Sequence, residues 1–164
     1  MGTPETIDVV WGTGSARTEL GAFDRALADA GLAEYNLVTL SSIVPAGATV
    51  REVARLEPDR WPVGTIVAAV SAVGTAPPDG DPVAAGLGWA IGETGGVFAE
   101  ATATGAEECR ERLEARLADL REHRPIDAAA GTTRTVEHDG ERATAAVVAA
   151  VYGPIELAGS TGGG

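Results

Sequence analysis

The sequence contains no lysine, and all 12 of its basic side chains are therefore arginines. A chain without lysine cannot hold pyridoxal phosphate as an internal imine, and it offers no side-chain amine as a nucleophile. This absence excludes the enzyme classes whose chemistry depends on a lysine-bound cofactor.

Cysteine and histidine are almost as scarce. Cys109 is the single cysteine, which excludes a disulfide within the chain and a cysteine-rich zinc site. The two histidines, His123 and His138, have no metal-ligand partner at helical spacing. We therefore expect no metal centre.

Targeting and membrane-spanning segments are also missing from the pattern. The first residues show no basic region followed by an apolar run, as a signal peptide would require. The longest apolar stretch, residues 63–73, contains Gly, Thr and Ser and is too short to span a bilayer. We expect a soluble cytoplasmic protein without a membrane partner.

Basic residues are few relative to acidic ones: the sequence has 24 acidic and 12 basic side chains, which gives a net charge of -12. Coulomb repulsion opposes an encounter with nucleic-acid phosphates, so we expect no nucleic-acid partner. An acidic surface without lysine indicates an adaptation to solubility in salt. Attraction of a cationic substrate is the functional alternative, and the two interpretations are compatible.

Length and hydrophobic content predict a single domain, because 164 residues with 45% hydrophobic side chains can form one sizeable core. Strands are predicted at 7–11, 35–45, 63–73, 83–92, 96–102, 132–138 and 143–152. Helices are predicted at 19–30 and 104–123. Because the two helices lie far apart among many strands, we expect an α/β sandwich whose helices cover sheet faces.

The first helix carries an acidic residue among its apolar positions. Thr18 is the predicted N-cap and Gly31 the residue that ends the helix. The apolar stripe comprises Leu20, Phe23, Leu27 and Ala30. Asp24 shares this face, where a carboxylate is costly to bury unless it is paired. It either reaches solvent or an arginine such as Arg17 or Arg25, or it belongs to a site.

The second helix is predicted from a capping box, with Thr104 at the N-cap and Glu107 three residues later. Its apolar stripe comprises Cys109, Leu113, Leu117 and Leu120. Turn-forming residues predict a turn at 12–15, a loop at 74–81, a hairpin turn at 139–140 and a flexible tail at 153–164. The polar and charged residues 49–61 predict a surface loop or a short turn of helix. The Gly-x-Gly of the first turn lacks the third glycine of a dinucleotide loop.

The segment most informative about chemistry is residues 36–47, Asn-Leu-Val-Thr-Leu-Ser-Ser-Ile-Val-Pro-Ala-Gly. It resembles the self-cleavage segment of pyruvoyl-dependent arginine decarboxylases. Further matches keep the family's order: Gly-Ala-Phe-Asp at 21–24, Pro-Val-Gly at 62–64, Gly-Val-Phe-Ala-Glu at 96–100 and Val-Glu-His at 136–138. The serine pair alone carries no information, but the ordered set identifies the chain as resembling a haloarchaeal-like member of this family.

The resemblance implies a fold and a processing reaction. Family members are αββα sandwiches, two sheets flanked by helices, and they assemble into trimers with sites between protomers. The Ser42 hydroxyl would attack the carbonyl of Ser41, and elimination would then leave a pyruvoyl group at position 42. The chain would be divided into residues 1–41, the β chain, and residues 42–164, the α chain. A covalent pyruvoyl cofactor would thus do the work that lysine-bound pyridoxal phosphate cannot do here.

The resemblance also implies roles for individual residues. The pyruvoyl carbonyl would form a Schiff base with L-arginine or a similar cationic amino acid, carbon dioxide would leave, and agmatine would be the product, an entry to polyamine biosynthesis. Glu100 would donate the proton that quenches the carbanion. Asp24 would meet the substrate guanidinium. Asn36 would stabilise the oxyanion formed during cleavage. Ser41, ending in a carboxylate, would help to position substrate.

Two alternatives remain open at this point. The same chemistry could act on another amino acid, such as ornithine or lysine, because Asp24 favours a cationic side chain but does not determine how long that side chain is. The chain could also be an unprocessed oligomeric binding protein of the same fold. One departure from the family concerns the strand after Gly64, which contains only small and aliphatic residues where we expect an aromatic residue in the pocket wall.

Overall fold

Two β-sheets lie face to face, and one helix covers the outer face of each. The structure is a computed structural model that describes residues 2–126 and 133–157. Its elements in chain order are β1 (Thr6–Ala16), α1 (Glu19–Ala30), β2 (Asn36–Thr39), β3 (Ile43–Val44), β4 (Thr49–Ala54), β5 (Ile66–Ala76), β6 (Val83–Gly92), β7 (Gly95–Ala103), α2 (Ala106–Arg121), β8 (Thr133–His138) and β9 (Ala143–Pro154).

The larger sheet has five strands in the order β2-β5-β9-β1-β4, and the smaller has four in the order β3-β7-β6-β8. In the larger sheet, β9 runs antiparallel to β1 and β5, while the edge strands β2 and β4 run parallel to their neighbours. The smaller sheet is antiparallel throughout. This arrangement confirms the predicted α/β sandwich with helices on its outer faces, in the αββα form that the family resemblance implies.

Each interface between layers has its own set of buried side chains. The cluster between the sheets combines alanines with larger residues, among them Ile7, Val70, Leu87, Phe98 and Val148. Helix α1 packs against the five-stranded sheet through alanines, and α2 packs against the four-stranded sheet through its predicted apolar stripe. Within residues 2–126 and 133–157, neither helix is long and apolar enough to cross a membrane.

The predicted turn at 12–15 is wrong, because β1 continues to Ala16. Its two glycines serve helix packing instead. A Cβ at Gly12 would lie 2.2 Å from the carbonyl oxygen of Ala26, and one at Gly14 would lie 2.4 Å from that of Ala22. The Gly-x-Gly pattern therefore lets α1 approach the backbone of β1 more closely than any side chain would allow.

The boundaries and caps of α1 are confirmed. The Thr18 hydroxyl accepts a hydrogen bond from the Gly21 amide at 3.0 Å, and Gly31 ends the helix in the left-handed region with φ of 82°. The predicted stripe is rotated, however, because Leu20 is 77% exposed while Ala22 and Ala26 are fully buried. Close packing on the two glycines favours the alanine face over the leucine face.

The predicted capping box of α2 is also wrong, since the N-cap is Gly105 and no side chain of that residue caps the helix. The Glu137 carboxylate on β8 accepts a hydrogen bond from the Ala106 amide at 3.0 Å instead. A carboxylate at a helix N-terminus is favourable whichever part of the chain supplies it. Thr104 meanwhile donates to Glu108 at 3.4 Å.

Three connections also differ from prediction. Residues 49–61, predicted as a loop or a short turn of helix, contain the edge strand β4, in which exposed charged residues hide the strand pattern. The predicted loop at 74–81 begins only after Ala76. The predicted hairpin at 139–140 is a crossover, because β8 and β9 lie in different sheets. Strand β9 extends to Pro154, into the predicted tail, while the first residue of the predicted strand 132–138 and residues 158–164 lie outside the described residues.

Candidate active site

The chain passes from one sheet to the other at the serine pair. The amide of Leu40 donates to the carbonyl of Ala69 at 3.1 Å, in the five-stranded sheet. Two residues later, the carbonyl of Ser42 accepts from the amide of Phe98 at 2.9 Å, in the four-stranded sheet. The predicted continuous strand 35–45 is therefore wrong, and the peptide bond between Ser41 and Ser42 bridges the two sheets.

Ser42 has a backbone conformation that side chains rarely adopt, with φ of 74°. A non-glycine residue in this region is strained by about 1–3 kcal/mol and persists only where the surroundings impose it. The hydrogen bonds at Leu40 and Phe98 impose it here, because they hold the chain on either side of the turn in different sheets. Such strain is typical of functional sites.

The side chain of Ser42 contacts Glu100. The hydroxyl Oγ donates to Oε2 of Glu100 at 3.3 Å, although the two residues are 58 positions apart in sequence. Glu100 lies two residues after Phe98 on β7, so its side chain projects from the same face of the strand, towards the space between the sheets. It is half-buried, and its carboxyl group is placed to orient the hydroxyl and to exchange protons beside it.

A cavity of about 360 Å³ opens beside this contact. It is lined by Ser41, Ser42, Phe98, Ala99, Glu100, Arg116, Asp119 and Leu120. The volume lies within the range of small-molecule sites. The structure thus brings three of the predicted site residues, Ser41, Ser42 and Glu100, to one concave surface.

The wall formed by α2 was not predicted from the sequence. Arg116 and Asp119 both line the cavity, and Arg116 donates a hydrogen bond from Nη1 to the backbone carbonyl of Glu100. A sequence signal for them exists only in hindsight: both lie on one side of the apolar stripe that contains Leu113 and Leu120, at the edge of the buried helix face. Which strand that edge faces is not readable from helical periodicity.

Aromatic residues support the site from beneath. The ring of Phe98 lies 6.2 Å from that of Trp89 and 6.2 Å from that of Tyr152, in edge-to-face geometry. The Tyr152 hydroxyl donates to the carbonyl of Ile43, the residue directly after the serine pair. Burial raises the pKa of Tyr152 to about 12, so this hydroxyl keeps its proton at neutral pH. The aromatic surface missing from β5 is therefore supplied by other strands.

Asn36 is held at the entrance to β2, outside the cavity lining. Its side-chain amide donates from Nδ2 to the carbonyl of Gly64 at 2.9 Å. Gly64 itself has φ of 84°, a conformation that favours glycine. The contact joins two of the family-like segments, 36–47 and 62–64. The expected role of Asn36 in cleavage stays a prediction.

Asp24 lies on α1, exposed to solvent and outside the lining of the cavity. Arg25, one of its two predicted partners, donates to the carbonyl of Ser15 at 2.7 Å instead. Helix α1 covers the outer face of the five-stranded sheet, whereas the cavity lies beside β7 and α2. One chain alone therefore does not bring Asp24 to Ser42, and its expected contact with substrate stays a prediction.

Among residues 2–126 and 133–157, no group of three His, Cys, Asp or Glu side chains is arranged to hold a metal ion. Cys109 is buried, donates to the carbonyl of Ala101 at 3.4 Å, and has its pKa raised by burial. It packs as a small apolar side chain under α2.

Comparisons with known proteins give one consistent result. The sequence model of a family described as pyruvoyl-dependent arginine decarboxylase (PvlArgDC) matches residues 6–157. A protein of that name from Halobacterium salinarum is 36% identical over 152 residues, which cover 90% of this chain and 93% of the relative. Another from Methanopyrus kandleri is 38% identical over 164 residues, covering 93% and 99%. A third from Methanococcus aeolicus is 41% identical over 88 residues, covering 54% and 50%.

Proposed function

Because the chain belongs to the family of pyruvoyl-dependent arginine decarboxylases, we propose that it cleaves itself between Ser41 and Ser42 and then converts L-arginine to agmatine and carbon dioxide. The observation that carries the proposal is the contact of the Ser42 hydroxyl with Glu100 at 3.3 Å. It lies in a cavity, at a strained residue where the chain changes sheets. The alternative of an unprocessed binding protein leaves this combination without a purpose.

Cleavage begins with the nucleophile that Glu100 orients. The Ser42 oxygen attacks the carbonyl carbon of Ser41, the bond to the Ser42 nitrogen breaks, and the hydroxyl proton passes to that nitrogen. The peptide has then become an ester. Loss of the Cα proton of residue 42 and rupture of its Cβ–O bond release Ser41 as a carboxylate and leave dehydroalanine. Tautomerisation to an imine, addition of water and loss of ammonia give the pyruvoyl group.

Backbone strain at Ser42 favours this outcome. A φ of 74° stores strain only while residue 42 has a tetrahedral Cα that carries both a side chain and a peptide nitrogen. The product has a planar carbonyl carbon at this position and no bond to nitrogen, so the strain is released. The hydrogen bonds at Leu40 and Phe98 keep both new ends in place.

The surroundings of residue 42 fit the group that would form there. A pyruvoyl group at this position would supply the electrophilic ketone and the electron sink that decarboxylation of an amino acid requires. The amide of Phe98, 2.9 Å from the carbonyl oxygen of residue 42, stabilises negative charge on that oxygen. Tyr152 fixes the next carbonyl, that of Ile43. Glu100 is the proton donor to the α-carbon of the product.

Recognition of the guanidinium group needs a carboxylate. We assign this role to Asp24 of a neighbouring protomer in a trimer, because α1 presents Asp24 to solvent next to the exposed Leu20. Asp119 is the alternative within one chain, since it lines the cavity directly. Asp24→Asn and Asp119→Asn separate the two, and the variant that raises KM for arginine identifies the partner of the guanidinium.

Intact-mass spectrometry of the purified protein tests the cleavage. We expect two fragments, 1–41 and 42–164, the second lighter by one ammonia than a fragment that begins with serine. Ser42→Ala removes the nucleophile and should leave one continuous, inactive chain. Ser41→Ala is the matched control, because it keeps the attacked carbonyl and should still be cleaved. Active protein with an uncut backbone contradicts the proposal.

The substrate is tested separately. Carboxyl-labelled arginine should release labelled carbon dioxide, and amine analysis should find agmatine. Ornithine and lysine, offered at equal concentration, should be decarboxylated at a small fraction of that rate. A cleaved protein that prefers either of them would keep the pyruvoyl chemistry but refute arginine as the substrate.

A further inference from the structure

One backbone carbonyl of strand β7, that of Glu100, lies next to the serine pair without a neighbouring strand to bond to. The amide of Phe98 pairs with the carbonyl of Ser42, and residues two apart on a strand direct their backbone groups to the same edge. The carbonyl of Glu100 therefore points to the same edge of β7. If the serine segment continued along β7 as a regular strand, Leu40 would lie opposite Glu100 and bond to this carbonyl. That residue instead pairs with Ala69 in the other sheet. Arg116 of α2 takes the place of the missing strand by donating to the Glu100 carbonyl.

Among the described residues that line the cavity, Arg116 is also the only one with a basic side chain, and it shares the cavity with the carboxyl groups of Glu100 and Asp119. A guanidinium has five N–H donors, and a single donor of Arg116 is bonded to Glu100. In the part of the chain that the structure describes, Arg116 belongs to none of the ion pairs. The remaining donors are thus available to an anion in the cavity.

Cleavage creates such an anion. Release of Ser41 converts a neutral peptide carbonyl into a carboxylate at the cavity wall, beside two acidic residues and in a chain of net charge -12. We propose that Arg116 binds this new carboxylate of Ser41, an inference that rests on the proposed self-cleavage. A planar guanidinium and a carboxylate can form two parallel charge-assisted hydrogen bonds.

The carboxylate of the substrate is the less suitable partner. It must leave as uncharged carbon dioxide, so an ion pair with Arg116 would stabilise the ground state and raise the barrier. The carboxylate of Ser41 keeps its charge throughout the catalytic cycle. Arg116 is thus a positioning residue: it lies on fragment 42–164 and holds the end of fragment 1–41 at the rim of the site.

The test compares Arg116→Gln in two backgrounds, the self-cleaved protein and the uncleaved Ser42→Ala protein. The bond from Arg116 to the Glu100 carbonyl exists in both, so its loss lowers the melting temperature in both. The ion pair with Ser41 exists only after cleavage. We expect an additional loss of about 2–4 °C in the cleaved background, the shift typical for a modest interaction in a protein of this size.

Arg112→Gln is the matched control. Arg112 lies one turn earlier on α2 and donates to the carbonyl of Thr102 on the same strand at 2.6 Å, but it lines a different cleft. Its replacement should lower the melting temperature equally in both backgrounds. Arg116→Lys keeps the charge without the planar fork and should recover part of the additional loss. Molar salt should shrink the additional loss, as expected for an ion pair.

Three results would overturn the inference. Equal losses of melting temperature in the two backgrounds would mean that Arg116 only bonds to the Glu100 carbonyl and does not bind Ser41. If intact mass showed that Arg116→Gln does not cleave, Arg116 would act in the cleavage itself, before the carboxylate of Ser41 exists. An uncleaved wild-type chain would refute the proposed function itself, and the mass measurement shows this independently of any melting temperature.

Discussion

Glu100 combines two functions through different atoms. Its side chain accepts the hydrogen bond of Ser42, and its backbone carbonyl accepts that of Arg116. A change to the side chain therefore leaves the backbone anchor of α2 intact. This separation makes Glu100 the most informative single position in the site.

We predict that Glu100→Gln is cleaved but turns over slowly. The amide oxygen of glutamine still accepts the hydrogen bond of Ser42, so the nucleophile stays oriented, whereas the amide cannot donate a proton in the way a carboxyl group does. Removal of a general acid lowers kcat by roughly 100- to 10,000-fold. Release of labelled carbon dioxide measures the rate, and intact mass verifies cleavage. Unchanged turnover would mean that another group protonates the product.

The sequence predicted some residues of the site and missed others for a physical reason. Ser41 and Ser42 were found because segment 36–47 resembles the family, and Glu100 because segment 96–100 does; the structure then brings all three together. Arg116 and Asp119 were missed because their position depends on how α2 packs across β7. Helical periodicity indicates which face is buried, but it does not specify the strand that the flanking residues reach.

At the scale of elements, an ion-pair cluster joins β1 to β4 and to the loop before β5. Asp8 is 4% exposed and accepts hydrogen bonds from Arg51 Nε at 2.8 Å and Arg60 Nη1 at 2.9 Å. Arg60 lies over the ring of Trp61, 5.1 Å from its centroid, and Trp61 contacts Tyr35. The cluster therefore fixes the loop that ends at Gly64, whose carbonyl accepts the hydrogen bond of Asn36.

We predict that this cluster gives the fold an acid-sensitive component. Burial alone would raise the pKa of Asp8, but the hydrogen bonds and charges of Arg51 and Arg60 outweigh burial and hold it below its ordinary 3.8. A lowered pKa contributes stability that is present above pH 3.8 and is lost as the pH falls through the lower, folded-state value. Urea unfolding from pH 6 down to pH 2, about the range over which carboxyl groups titrate, should show this loss.

Asp8→Asn is the control for that pH dependence. It removes the charge but keeps an acceptor, and we expect it to destabilise the fold at neutral pH by about 2 kcal/mol, a typical value for charge-assisted hydrogen bonds. Below the folded-state pKa of Asp8, the variant and the wild type should have similar stability. A constant difference at all pH values would mean that the effect comes from packing rather than from ionisation.

The elements themselves were predictable where the signal is local. The caps at Thr18 and Gly31 specify α1 because hydrogen bonding of the helix ends depends on adjacent residues. The connection at 139–140 was misjudged because a tight turn sequence does not reveal whether the next strand pairs with its predecessor or joins the opposite sheet. Gly12 and Gly14 show the same limit, since only the approach of α1 distinguishes them from turn residues.

For the whole molecule, net charge is the dominant property. At -12, self-repulsion of the acidic surface opposes the compact state. Salt shortens the range of this repulsion from about 10 Å at 0.1 M to about 3 Å at 1 M.

We predict that the melting temperature rises with sodium chloride between about 0.1 and 1 M, where the repulsion is progressively screened. The rise should be at least about 2 °C, the shift that roughly 1 kcal/mol produces in a chain of this length. Sucrose at matched osmolality serves as the uncharged control and should have a smaller effect. A melting temperature independent of salt would show that charge repulsion does not limit stability.

The position of β1 determines how the protein would refold before and after the proposed cleavage. This strand lies between β9 and β4, paired at nine and five positions respectively, and the proposed cut assigns it to a different polypeptide from both neighbours. Recovery from denaturation would then be a second-order event for the mature protein, slower on dilution, but first-order for the uncut precursor. Assembly before the proposed cleavage is therefore the efficient route, and each cleaved protomer would consist of two chains that had folded together as one.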